Sequence, residues 1–252
     1  MLIEKKRIAL LAALLAFCAA ALASEAPGGI IQPARNDITN TASLQRGARN
    51  FVNYCMGCHS ARYVRYGRLG QDLGLSEQQV IDNLMFTGER IHDTMKISMR
   101  PEDAARWFGV TPPDLSLIAR SRGPDYLYSF LKSFYLDPTR PTGVNNMVMP
   151  RTAMPHILWE LQGVNEAVYE GESDAEHSVV HKHFKEFRPV KPGTLSPKEY
   201  DEFVRDTVNF LVYIGEPMQL ERRSIGFRVL AFLLVFFLFA YFLKKEYWKD
   251  VK

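Results

Sequence analysis

The sequence predicts a mainly α fold with one long apolar helix near its C-terminal end, and three observations predict it. Two segments, residues 43–54 and a longer one opening at Ser196, carry apolar side chains at helical spacing. Two shorter stretches, 76–86 and 124–134, open on residues suited to a helix start, Ser76 with Glu77 and Pro124 with Asp125. A hydrophobic run of 19 residues, Ile225 to Leu243, spans about 28 Å as a helix, the thickness of a bilayer core.

Taken in chain order, Lys5, Lys6 and Arg7 precede an alanine- and leucine-rich run from Ile8 that ends in Ala21, Leu22 and Ala23. That is the pattern of a cleavable secretory signal over residues 1–23. A lipoprotein-type signal ending at Cys18 fits less well, because Phe17 stands where a small residue is wanted. A Gly- and Pro-containing stretch through Pro33 leads into the helix of residues 43–54, where Gly47 and Phe51 lie four apart on one face. A glycine there allows another helix to approach closely, and the candidate partner starts at Ser196. Pro197 takes its first position and Glu199 completes a capping box, followed by Phe203, Val204, Thr207, Phe210, Leu211 and Ile214 at helical spacing.

Pro217 leads into the run 225–243. With Phe232, Phe236, Phe237, Phe239 and Phe242 and no polar face, this run is expected to stay in a membrane rather than form a core helix. Arg228 can snorkel at its start, while Tyr241, Tyr247 and Trp248 suit the opposite interface. Lys244, Lys245, Lys249 and Lys252 follow, but Arg222 and Arg223 on the other flank weaken the charge asymmetry. The signal therefore sets the orientation: residues 24–220 exported, 225–243 anchoring, and 244–252 a short tail inside.

Cys55, Met56, Gly57, Cys58 and His59 form a Cys-x-x-Cys-His motif, the attachment signature of c-type haem. Two thiols at this spacing can add to the two vinyl groups of one haem, and the adjacent histidine can coordinate the iron. A redox dithiol wants a βαβ context and a zinc half-site wants a second ligand pair; neither is evident. Once a signal is removed, Cys55 and Cys58 are the only cysteines, so no disulfide framework is available. The other histidines, His92, His156, His177, His181 and His183, include a loose cluster in a polar, charged stretch that reads as solvated loop rather than a metal site.

One motif and no internal repeat in an exported domain of just under 200 residues predict a single haem and a class I cytochrome c-like domain with insertions. That fold requires the two long amphipathic helices to cross. A sixth iron ligand can come from Met147, Met149 or Met154, three methionines in a Pro-rich segment, and spacing alone does not choose among them. Residues 24–220 hold 21 Lys plus Arg against 24 Asp plus Glu, net −3, which argues against nucleic acid as a partner. Glu166, Glu170, Glu172, Asp174 and Glu176 form an acidic run with no basic residue among them, a candidate surface for steering a basic acceptor or else a solvated loop.

Four stretches together resemble the cytochrome c1 family. They are Val52 to Gly70 around the haem motif; Pro112, Pro113, Asp114, Leu115 and Ser116 with Ile118, Arg120, Arg122, Asp125 and Tyr126; Ala153, Met154 and Pro155 with Leu158 and Glu160; and the C-terminal anchor after Glu216 and Pro217. The resemblance covers nearly the whole chain beyond the signal. It implies Met154 as the distal ligand, with Arg122 and Tyr126 near the haem propionates. It further implies an electron-transfer subunit of a respiratory quinol:cytochrome c reductase, with no bond chemistry of its own. Such a subunit takes electrons from a Rieske iron–sulfur subunit through one covalent haem c and passes them to a soluble c-type cytochrome. It sits beside cytochrome b in a dimeric complex of a bacterial inner membrane, haem domain in the periplasm. The alternatives are a free-standing membrane-tethered shuttle to an oxidase, disfavoured by the short linker from Glu216 to Ser224, and a ligand-binding or catalytic haem protein with an open iron site.

Overall fold

The computed structural model describes residues 30–173 and 180–250; the signal region and the tip of the acidic run at Asp174 and Glu176 lie outside them. The described residues are mainly α. Helix α1 (Thr41–Asn50) starts two residues before the predicted segment, because the Asn40 side chain accepts a hydrogen bond from the Ser43 N–H and so caps it. It runs on not as α-helix but as a π-helical turn, Phe51–Cys55, which ends on the first haem-motif cysteine. Seven further helices precede the C-terminal one: α2 (Tyr66–Leu73), α3 (Glu77–Asn83), α4 (Pro101–Phe108), α5 (Ile118–Arg122), α6 (Pro124–Lys132), α7 (Trp159–Gln162) and α8 (Pro197–Gly215).

The predicted crossing of α1 and α8 is the centre of the core. Ser196 caps α8 in a reciprocal box with Glu199, Pro197 follows at the first turn, and the face of Val204, Val208 and Leu211 is buried. A Cβ on Gly47 would lie 2.1 Å from the Asp206 carbonyl oxygen and 2.6 Å from the Phe210 Cβ, so only glycine permits this approach. Phe51 and Phe210 meet below it with ring centroids 5.5 Å apart. Most polar groups buried by the crossing are matched, Asn209 Oδ1 excepted: Asp206 accepts from Ser43 Oγ at 2.6 Å and Arg46 Nε at 2.5 Å. Asn50 donates to Thr207 Oγ1 at 3.1 Å. Helix α6 is clamped to α8 by Asp201, which binds Lys132, Arg205 and the Tyr128 hydroxyl.

Several boundaries depart from the sequence reading. The segment 76–86 is helical only to Asn83, and 124–134 only to Lys132, after which Phe134 begins a strand. The described residues also contain three antiparallel strand pairs that the sequence reading omitted. They are β1 (Ala61–Arg65) with β2 (Thr94–Met95), β3 (Phe134–Leu136) with β4 (Val144–Asn146), and a long hairpin of β5 (Gly163–Ser173) with β6 (Val180–Pro192). Of the acidic run, Glu166, Glu170 and Glu172 lie on β5 of this hairpin rather than on a loop. Its lack of basic neighbours holds only along the chain, since Arg188 and Lys185 pair across the strands with Glu166 and Glu170.

At the hairpin base, Gly163 (φ 89°) would place a Cβ 2.3 Å from the Lys191 carbonyl oxygen. The C-terminal helix α9 (Gln219–Tyr247) contains the predicted run 225–243 and extends it at both ends. It is long and apolar enough to cross a membrane, and Phe227, Phe232, Phe236, Phe239 and Phe242 project from it without cover.

Candidate haem site

The haem motif is built at the point where the π turn runs out. The Cys55 carbonyl accepts from both the Cys58 N–H (3.1 Å) and the His59 N–H (2.9 Å), so Cys55, Cys58 and His59 are held on one tight turn. A π turn makes room for one extra residue between α1 and this knot, a device that recurs at functional sites. Met56, buried beneath, receives the Tyr66 hydroxyl on its sulfur at 3.8 Å. Burial, with the neighbouring Cys58, pushes the Cys55 thiol up to about 12, and burial raises Cys58 as well. A redox dithiol needs at least one thiol lowered towards neutrality, so the electrostatics oppose that reading. Nor do three His, Cys, Asp or Glu side chains converge as a metal-holding set among the described residues, as a zinc site would require.

His59 shows why the Pro-Pro-Asp-Leu-Ser block matters. Its Nδ1 lies 2.7 Å from the Pro113 carbonyl oxygen. A carbonyl only accepts, so Nδ1 carries the hydrogen and the Nε2 lone pair is left for a metal. Burial lowers the imidazole pKa against the opposing pull of Pro113 and Asp114, which favours the neutral form a ligand needs. The block itself is tied to the strand that leaves the motif. Asp114 accepts from the Arg62 N–H (3.0 Å), Arg62 Nε (3.1 Å) and the Ser116 N–H (2.9 Å). Ser116 Oγ accepts from the Tyr63 N–H at 3.1 Å, and the Leu115 N–H donates to the Ser60 carbonyl at 2.8 Å. Burial alone would raise the Asp114 carboxyl, but hydrogen bonds from Ser116 and Arg62 bring it below the ordinary range.

The structure separates the three methionines that spacing left equal. Met147 accepts the Tyr169 hydroxyl on its sulfur (3.8 Å) and so belongs to the hairpin contact, and Met149 is exposed. Met154 is half-buried, and its N–H donates to the buried Thr152 Oγ1 at 3.3 Å. The loop that carries them is organised by two asparagines the sequence did not single out. Asn146, fully buried, accepts from Ser133 Oγ, Val148 N–H and Met149 N–H and donates to the Phe130 carbonyl at 2.8 Å. Asn145 accepts from the N–H of Arg151, which has φ 64°. The turn Gly-free at Arg151 is thereby held by side-chain hydrogen bonds to backbone.

Arg122 and Tyr126 are brought together, the guanidinium carbon 5.6 Å from the ring centroid. Arg122 is exposed at the end of α5 and Tyr126 half-buried on the first turn of α6, the two helices separated by Gly123 at φ 87°. His156 lies outside the polar histidine stretch, between Pro155 and Ile157. It is buried, with its ring flat on Phe134 at 4.9 Å and 3°, and burial drives its pKa down to about 4. His183 is exposed on β6 opposite Glu170, and His92 is exposed before β2.

The donor set fits a covalently held haem: two neutral thiols and an imidazole on one turn, Nδ1 of that imidazole fixed from behind, and a thioether on a separately braced loop.

The model of the Cytochrome C1 family matches residues 36–251. A protein of Allochromatium vinosum named cytochrome c1 is 50% identical over 244 residues, covering 96% of this chain and 98% of its own length. A protein of Nitrosomonas europaea named ammonia monooxygenase gamma subunit is 43% identical over 85% of this chain and 86% of its own. A Rhodospirillum rubrum cytochrome c1 is 29% identical over 83% and 82%.

Proposed function

The chain belongs to the Cytochrome C1 family, whose members transfer electrons in the bc1 complex, and from this premise we propose a specific route through it. The chain takes single electrons from a Rieske iron–sulfur subunit and passes them to a soluble c-type cytochrome, within a dimeric quinol:cytochrome c reductase that also contains cytochrome b. One haem c, when bound, supplies the one-electron couple. Cys55 and Cys58 would hold it by thioether bonds, and His59 and Met154 would ligate its iron. Arg122 and Tyr126 would meet its propionates, where a guanidinium offsets carboxylate charge. The isolated chain carries electrons; quinol oxidation belongs to the partner subunits.

The observation that carries this reading is the His59 Nδ1 contact with the Pro113 carbonyl, which orients the ring and presets the ligating tautomer. Fixing the ligand before and after electron transfer keeps the reorganisation accompanying each redox step small. The same reading takes residues 1–23 as a signal, 225–243 as a single membrane anchor and 244–252 as the inner tail. The haem domain then faces the periplasm of a bacterial inner membrane.

The test is gentle solubilisation of membranes, purification through a C-terminal tag, and a reduced-minus-oxidised spectrum of what co-purifies. Haem b, an iron–sulfur protein and inhibitor-sensitive quinol oxidation are expected alongside haem c. Haem c alone, under conditions that preserve such complexes, would refute the proposed assembly.

A further inference from the structure

A continuous aromatic stack runs from α6 to the methionine loop. Tyr126 lies parallel to Phe130 (6.3 Å between centroids, 4°), Phe130 meets Phe134 edge-on (5.2 Å, 69°), and Phe134 lies flat on His156 (4.9 Å, 3°). The stack begins beneath Arg122 and ends two residues beyond Met154. Its members sit on three different elements: α6, β3 and the turn that opens α7.

The geometry points to this stack as a strut that positions Met154, with His156 as the positioning residue at its end. The inference rests on the proposed role of Met154 as an iron ligand. The link between the two residues is short and stiff. Pro155 has a fixed φ, and a residue before proline is confined to extended conformations, so Met154 has little freedom once His156 is placed. Beyond it, the Ile157 N–H donates to the Pro155 carbonyl (2.9 Å) and the Trp159 N–H to the His156 carbonyl (3.3 Å), closing the turn. On the other side the Met154 N–H is held by Thr152. Met154 is thus braced two residues away in each direction, by a buried hydroxyl and by a stacked ring. A thioether is a weak ligand on a flexible side chain, so its hold on a metal depends on a backbone that does not move away.

His156 Nε2 is buried without a hydrogen-bond partner, as is Gln162 Oε1. Gln162 and the Gly163 backbone lie near enough to raise its pKa against burial, but with no hydrogen bond of ordinary geometry at Nε2 the flat ring stacked on Phe134 is the stronger hold, and a benzyl ring supplies that too. This separates positioning from simple core filling: leucine fills the space without stacking flat, whereas phenylalanine does both.

The experiment compares His156→Leu, His156→Phe, Phe134→Leu and Met154→Leu in the full-length chain within its membrane complex. Two readouts are taken: the reduction potential of haem c, and the concentration of added imidazole that half-displaces the native ligand in the oxidised protein. His156→Leu is expected to lower that concentration about tenfold or more and to lower the potential, as loss of an outer-shell support does at metal sites. Phe134→Leu, which breaks the stack from the other side, gives the same loss, and His156→Phe stays within about twofold of the parent protein. If Met154→Leu changes the spectrum while His156→Leu and His156→Phe behave alike, the strut is overturned and the ligand assignment stands. If Met154→Leu leaves spectrum and potential unaltered, the ligand assignment fails and takes the strut with it.

Discussion

Replacing Gly47 by alanine tests the packing that holds the haem-motif helix in place. The new Cβ would meet the Asp206 carbonyl oxygen at 2.1 Å, where ordinary contact begins at 3.4 Å, so α8 must retreat by more than an ångström. The atom struck is backbone, which cannot rotate aside, and such overpacking costs about 1–3 kcal/mol. The retreat also stretches the Asp206 hydrogen bonds to Ser43 and Arg46, each of the charge-assisted kind that contributes about 1.5–3 kcal/mol when intact. Against this, alanine gains about 1 kcal/mol of helix propensity over glycine. The net expectation is a loss of about 2–4 kcal/mol, or a Tm lower by about 5–15 °C for a domain of this size. Gly215→Ala is the control, because its Cβ comes no nearer than 3.4 Å to the flexible Arg120 side chain and 3.8 Å to the Ser116 carbonyl oxygen, both ordinary contacts. Thermal unfolding of the purified holoprotein, followed by far-ultraviolet circular dichroism, reads both. Equal stability of Gly47→Ala and Gly215→Ala would refute the close-approach argument.

Three further perturbations follow from the same structure. Burial raises the Asp201 carboxyl, but hydrogen bonds from Lys132 and Tyr128 and the charges of Lys132 and Arg205 outweigh it and leave its pKa lowered. A lowered carboxylate stabilises the fold fully above its unfolded value near 3.8 and loses that contribution as pH falls through the folded value. Asp201→Asn should therefore be less stable than the parent at pH 6, with the gap narrowing as the pH falls below 3.8; a gap independent of pH would count against the clamp. Replacing both cross-strand pairs together, Glu166→Gln and Glu170→Gln with Arg188→Gln and Lys185→Gln, keeps the local net charge and should leave the ionic-strength dependence of electron transfer to a basic c-type cytochrome unchanged. A flattened salt slope would instead restore this part of the acidic run as a docking surface. Gly163→Ala combines a positive φ with a 2.3 Å clash, so limited proteolysis should cut the β5–β6 hairpin faster than in the parent protein, and unchanged cleavage would show that the base tolerates a side chain.

Much of the helical frame was legible in the chain because its signals are local. Ser196, Pro197 and Glu199 announce α8 within four residues, and Gly47 announces a close neighbour without naming it. The helix ends were less legible. The apolar run Leu84, Met85 and Phe86 suggests a longer α3, but the backbone leaves the helix at Leu84 (φ −128°), and Phe134 leaves α6 because its backbone pairs with Asn146 instead. The β5–β6 hairpin escaped for a periodic reason. Register shifts at Val164/Asn165 and Val168/Tyr169 break the two-residue alternation, and Phe184 and Phe187 fall three apart.

The site divides in the same way. A covalent attachment motif is contiguous by chemical necessity, so Cys55, Cys58 and His59 could be read directly. The groups that tune it are joined only by folding: Pro113 lies 54 residues from the histidine it orients, and Asn146 acts through its own side chain on a turn with no sequence pattern. His156 shows the limit most clearly. Its neighbours Met154, Pro155, Ile157, Leu158 and Trp159 are apolar but do not say which ring covers it, and only the placement of Phe134 against it makes it a core ring beside the loop that carries Met154. Composition reports what a residue can do; which of its faces is covered is decided by elements the local sequence does not contain. On the proposed assignment the iron-binding chemistry sits in the motif and the stiffness behind it in Pro113, Thr152 and the Phe134 stack, so substitutions at the second set should shift ligand hold and potential while leaving haem attachment intact.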